Sequence, residues 1–168
     1  RLVGLRSGGR SGSVEEELRR RIEHEQHLVR LAGTFVRVPA DRFGEARQIL
    51  SPIAREVPDL PEARELYGLT LYRLGRWKEA ARELDAFVAL SSGSTEQHPV
   101  LADCRRALRQ YAEVDRLWEE LRESSPSGAL VAEGRIVTAG ARADRGDLAG
   151  AVRLLAKGFR FPKRPMEH

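Results

Sequence analysis

The stretch Glu65–Leu90 reads ELYGLTLYRLGRWKEAARELDAFVAL. Leu66, Tyr67, Leu71 and Leu74 form one apolar side at helical spacing, Gly75 breaks the run, and a second helix starts at Trp77 and extends to about Leu90. The two helices are thus joined by a turn of two or three residues. Ala80 and Leu84, four residues apart in the second helix, belong to a series. Ala46, Ala80, Val114 and Ala151 follow one another at spacings of 34, 34 and 37, each with a large apolar residue four positions later: Leu50, Leu84, Trp118 and Leu155. Pro58 and Pro126 are 68 residues apart, twice the shorter spacing. A period near 34 marks a stacked helix–turn–helix array, in which one helix pair cannot bury its apolar stripe alone and neighbours cover it.

Working outward, no segment alternates as a strand does, so the chain reads as all-α. Ser13 with Glu16 forms a capping box for a first helix that Pro39 stops. A second covers about 42–56, with Phe43, Ala46, Ile49, Leu50 and Ile53 on one stripe, and ends at Pro58. Pro61 opens the next, where a proline costs little. After the loop SSGSTEQH, Pro99 opens a helix to about Gln110, and another follows from Tyr111 to Glu123. Beyond SSPSG, helices at about 130–144 and 148–157 flank Gly146. Residues 1–13, rich in glycine and serine, read as a flexible tail, and residues 14–168 as a single domain.

The best copy of the unit resembles the tetratricopeptide repeat. Gly68 and Ala80 supply the small residues that such a repeat places where its helices cross, Gly75 the turn, and Trp77 and Leu84 the plugs between successive pairs. The fourth copy uses Ala139, Gly146, Leu148, Ala151 and Leu155; the first Phe43, Ala46, Leu50, Ile53 and Pro58; the third Ala102, Tyr111, Val114, Trp118, Leu121 and Pro126. The units are about 27–60, 61–94, 95–128 and 129–163. Arg109 departs from the pattern by standing where Gly75 and Gly146 occupy the equivalent turns. Arg37, Arg105 and Arg142 stand where an aromatic residue or leucine is usual, as at Leu71. The whole chain is also similar to tetratricopeptide proteins of GC-rich bacteria.

The resemblance implies a right-handed superhelical solenoid of about four helix pairs with an extra N-terminal helix, acting as a protein-binding adaptor or scaffold. Its concave groove, lined by the first helix of each pair, would display Leu28, Leu31 and Phe35, then Glu62, Glu65, Leu69, Tyr72 and Arg73, then Asp103 and Arg106, then Glu133, Ile136 and Gly140. Such a mixed surface suits an extended peptide or a helix. Alternatively, the chain's own N-terminal helix covers Leu28, Leu31 and Phe35. One subset of the family clamps terminal carboxylates with lysines and asparagines. This chain has no asparagine, and Glu65 and Leu69 occupy positions of that clamp. At the other end, Val152, Leu155 and Phe159 form an apolar face without a polar capping helix after it. Either the array continues or another chain, such as a second copy, covers that face.

Charge is mixed, with 29 basic and 25 acidic residues and a net +4. Only three of the basic residues are lysines. The arginine excess fits either a GC-rich genome or nucleic-acid contact. Arg153, Lys157, Arg160, Lys163 and Arg164 form an acid-free stretch interleaved with Phe159 and Phe161. It reads either as a solvated helix end complementing the macrodipole or as an RNA- or ribosome-contacting patch. No signal-peptide-like or membrane-spanning run is present, and the single Cys104 fits a reducing compartment, so the expected location is cytoplasmic. His24 and His27 beside Glu23 read as a solvated pair in preference to a metal site, and Cys104 as a packed residue in preference to a reactive thiol. No phosphate loop, dinucleotide fingerprint, zinc spacing or nucleophile elbow occurs. The reading is therefore of a non-enzyme without cofactor.

Overall fold

The computed structural model describes residues 16, 17, 19, 20, 22, 40–124 and 126–157. Among them all regular structure is helical: α1 (Ala40–Glu56), α2 (Pro61–Arg73), α3 (Trp77–Leu90), α4 (His98–Ala107), α5 (Tyr111–Ser124), α6 (Gly128–Asp144) and α7 (Leu148–Ala156). Glu16, Glu17, Arg19, Arg20 and Ile22 are also helical. The expected tail over residues 1–13 and most of the first expected helix lie outside the described residues. The contacts divide the chain between Ser91 and Ser92 into two compact units.

In the first unit, α2 packs against both α1 and α3. Gly68 lets α2 and α3 approach closely, since a Cβ there would meet Leu84 Cγ and Cδ2 at 2.8 Å. Ala80 and Leu84 are fully buried, as is Leu71. Burying one such leucine is worth about 1.5–3 kcal/mol relative to leaving it exposed. In the second unit, α6 packs against both helices of the preceding hairpin, α4 and α5, and against its own partner α7. Trp118, Leu121, Ala139, Ala151 and Leu154 form its core, with Leu130, Val131 and Ala143 packed around them. Gly134 faces Leu121 and Trp118 so closely that a Cβ would collide with Leu121.

The repeat is written in the backbone of three turns. Gly75, Arg109 and Gly146 all have positive φ, at 71°, 58° and 87°. Each turn carries the same pair of bonds: Arg76 N–H to the Leu71 carbonyl and Gly75 N–H to Tyr72; Gln110 to Arg105 and Arg109 to Arg106; Asp147 to Arg142 and Gly146 to Ala143, all at 2.8–3.0 Å. This is the Schellman arrangement, which satisfies carbonyls orphaned at a helix end. Arg109 therefore takes up the left-handed conformation that glycine provides at the other two sites. Arg105 and Arg142, which stand where Leu71 does, reach toward the turn and the second helix of their own hairpins, respectively. Arg105 Nη1 donates to Gln110 Oε1 at 2.8 Å, and Arg142 Nη1 points to the Gly150 carbonyl at 3.5 Å.

The turn also explains where α4 ends. Sequence spacing carries that helix to about Gln110, whereas the helix stops at Ala107 because residues 108–110 form the turn itself.

Candidate partner-binding surface

Each unit presents its groove-assigned residues differently. In the first, Glu65 is only 9% exposed, Leu69 and Tyr72 are half-buried, and Arg73 is exposed. The Arg73 guanidinium lies 5.3 Å from the centroid of the Phe43 ring on α1, and the Tyr72 and Trp77 rings meet edge-on at 5.4 Å. Glu62 is approached by Arg19 of the N-terminal helical residues, at 3.9 Å, and Ile22 in that segment is 1% exposed. The chain's own N-terminal segment thus stands beside Glu62. Leu28, Leu31 and Phe35 lie outside the described residues.

In the second unit, Asp103 and Arg106 of α4 join Asp144 of α6 in one ionic cluster. Arg106 Nε donates to Asp144 Oδ2 at 2.6 Å and Nη2 to Oδ1 at 3.2 Å, while Asp103 Oδ1 lies 3.7 Å from Nη1. Arg106 can lie flat across α6 because residue 140 is a glycine; a Cβ there would stand 2.6 Å from the guanidinium. The Arg106 hydrogen bond holds the Asp144 carboxyl below its ordinary range. Glu133 is exposed and Ile136 is 63% exposed. The groove positions of this unit thus comprise a self-paired ionic cluster and an open isoleucine.

The second surface is on α7. Leu148 and Val152 are each 66% exposed and Leu155 is 36% exposed. They are spaced four and three residues apart and so share one face of the helix. Leu154, not Leu155, points into the core. The repeat register shows what this face is equivalent to. Leu148, Val152 and Leu155 correspond to Tyr111, Asp115 and Trp118 of α5, 37 residues earlier. There the following hairpin closes over the face. Arg145 lies 5.5 Å from the Tyr111 ring centroid and binds Asp115 through Nη1 at 2.9 Å and Nη2 at 3.2 Å. Arg135 lies 5.9 Å from the centroid of Trp118. Leu50, Leu84 and Trp118 are 1%, 0% and 6% exposed, whereas the fourth member, Leu155, is open to solvent. Phe159 lies outside the described residues.

The sequence pattern places Leu148 in the fourth copy of the unit and not on the face of Val152, Leu155 and Phe159. Its spacing to Val152 and Leu155 was the available signal. A second arrangement had no sequence signal, because its members are 22 residues apart. His98, 2% exposed, pairs through Nε2 with Glu120 Oε2 at 2.9 Å, and Arg116 Nη1 donates to Glu120 Oε1 at 2.6 Å. Burial pushes the Glu120 carboxyl up, but the hydrogen bonds from His98 and Arg116 outweigh it and hold the group below its ordinary range.

Of the basic stretch, Arg153 and Lys157 are exposed; Arg160, Lys163 and Arg164 lie outside the described residues, as do His24 and His27. Cys104 is buried. Among the described residues no three His, Cys, Asp or Glu side chains are grouped as metal ligands are, and no helix is long and apolar enough to cross a membrane. No protein-family model, no curated protein and no solved structure matches the chain.

Proposed function

We propose that the chain is a cytoplasmic tetratricopeptide-like helical-repeat scaffold that binds a protein or peptide, and that the exposed face of α7 is where a partner docks. The observation that carries this reading is the contrast at one repeat position, buried at Leu50, Leu84 and Trp118 and open at Leu155. A face shaped by the repeat to receive a helix, and lined by leucine and valine, gains free energy when a partner's apolar helix covers it. The three turns of like backbone geometry and the small residues at the hairpin crossings support the repeat assignment. The ionic cluster of Arg106 and Asp144 consumes its own charges, which makes the apolar face the better candidate for affinity.

The alternative is RNA or ribosome binding through Arg153, Lys157 and the basic residues that follow. Neither described cation has an acidic partner among the described residues, which favours this second reading. Affinity capture on the full chain, with and without nuclease, separates the two. Protein capture that survives nuclease and is lost in Leu148→Glu/Val152→Glu supports the scaffold. Capture that nuclease abolishes, and that Arg153→Glu/Lys157→Glu removes, supports the alternative.

A further inference from the structure

The first unit contains a cleft of about 470 Å³ bordered by Arg55 of α1, Arg64 and Tyr67 of α2, and Arg82 and Glu83 of α3. It is separate from the groove-assigned surface. At 3.6 residues per turn, Arg64 and Tyr67 lie on the side of α2 opposite Glu62, Leu69 and Arg73. Its volume is that of a small-molecule site, about 300–1,000 Å³.

Three guanidinium groups and one carboxylate border the cleft, and two of the three, Arg64 and Arg82, bind that carboxylate. The Glu83 side chain is 4% exposed, and both of its oxygens are engaged. Oε2 accepts from Arg64 Nη1 at 2.5 Å, and Oε1 accepts from Arg82 Nη2 at 2.9 Å and Nε at 3.1 Å. Arg64 Nε is anchored on the Pro58 carbonyl at 2.9 Å, and Arg55 Nε on the Ser51 carbonyl at 3.2 Å. These bonds orient the arginines without exhausting them. Arg64 Nη2, Arg82 Nη1 and both terminal nitrogens of Arg55 have no partner among the described residues. Tyr67 is 8% exposed, and its hydroxyl bonds to none of them either. The cleft therefore presents several N–H donors and one O–H donor, two uncompensated positive charges, and no carboxylate oxygen left unengaged.

We infer that this cleft binds a small organic phosphomonoester. Its dianion matches the two uncompensated charges, whereas a carboxylate neutralises one. Three phosphoryl oxygens can each accept from guanidinium N–H groups, as bidentate arginine–phosphate contacts do, with the Tyr67 hydroxyl as a further donor. A bare phosphate fills only part of 470 Å³, so the ester's organic group takes the remaining space beside Ala54, Pro58 and the Tyr67 ring.

Titration of the full chain with phenyl phosphate, inorganic phosphate, benzoate and dimethyl phosphate at constant ionic strength, followed by amide NMR and calorimetry, tests this. Phenyl phosphate is expected to bind saturably, shift the amides around Arg55, Arg64, Tyr67 and Arg82, and bind at least about tenfold more tightly than the other three. Arg55→Gln and Arg82→Gln, both at exposed side chains, should each weaken it about tenfold with helicity unchanged. Lowering the pH from 7.5 to 5 should weaken it as the dianion takes up a proton, with a pKa near 6. Binding no tighter than dimethyl phosphate, or unchanged in both Arg55→Gln and Arg82→Gln, overturns the site. Inorganic phosphate binding as tightly as phenyl phosphate overturns the ester assignment.

Discussion

Arg106 on α4 and Asp144 on α6 are 38 residues apart and joined by two hydrogen bonds, the shorter at 2.6 Å, directly over Gly140. The fork and the glycine depend on each other. Both charged side chains are about a third exposed, so the pair itself is worth no more than about 1 kcal/mol once solvent screening is counted. Glycine inside α6 costs about 1 kcal/mol of helix propensity relative to alanine. Gly140→Ala gains that propensity but forces the guanidinium away, so in the natural chain it should be neutral or destabilising. In an Arg106→Ala background the same substitution should stabilise by about 1 kcal/mol. A double-mutant cycle by urea denaturation measures the coupling; simple additivity would mean that Arg106 does not lie over residue 140.

Arg109 occupies a left-handed backbone conformation that costs a non-glycine residue about 1–2 kcal/mol. Replacing it with glycine relieves that cost while enlarging the entropy of the unfolded chain. Arg109→Gly should stabilise by a few tenths to about 1 kcal/mol, read as a higher urea midpoint at unchanged slope. Gly75→Ala and Gly146→Ala should destabilise by a comparable amount.

This turn also shows how far the sequence could be read. Apolar stripes bounded by prolines and glycines located α1 to α7, and α3 spans the residues that spacing assigned to it. Arg109 looked like a break in the pattern because residue identity was read as conformation. The backbone bonds of the turn are the same with arginine as with glycine. Likewise Leu155, four residues after Ala151, was legible as a plug between helix pairs, and it is exposed because nothing among the described residues stacks on it. The Arg106–Asp144 and His98–Glu120 pairs were not legible. They arise when helices pack, and nothing in local spacing says which charges will then face each other. The arginine cleft was not legible for the same reason, its members coming from three helices.

Acid should loosen the second unit through two carboxylates. Glu120 and Asp144 both titrate below their ordinary values in the folded chain. A group with a depressed folded pKa binds its proton more readily when unfolded, so its contribution is complete above the unfolded pKa, about 4, and is lost as pH falls through the folded value. Urea midpoints should fall with pH below about 4.5, and Asp144→Asn and Glu120→Gln should each flatten that fall. An unchanged acid limb in both variants would contradict the pairings.

The open face of α7 is most directly tested by thiol labelling of single-cysteine variants under native conditions. The buried Cys104 serves as the protected reference in the natural chain, and Cys104→Ala as the background for Val152→Cys, Leu155→Cys and Leu154→Cys. Cysteine at 152 and 155 should react at close to the rate of an unfolded thiol. At 154, reaction should be roughly a hundredfold slower or more, because it waits on local opening. Protection at 152 and 155 equal to that at 154 in the isolated chain would mean that the face is already covered, and the docking account would be wrong.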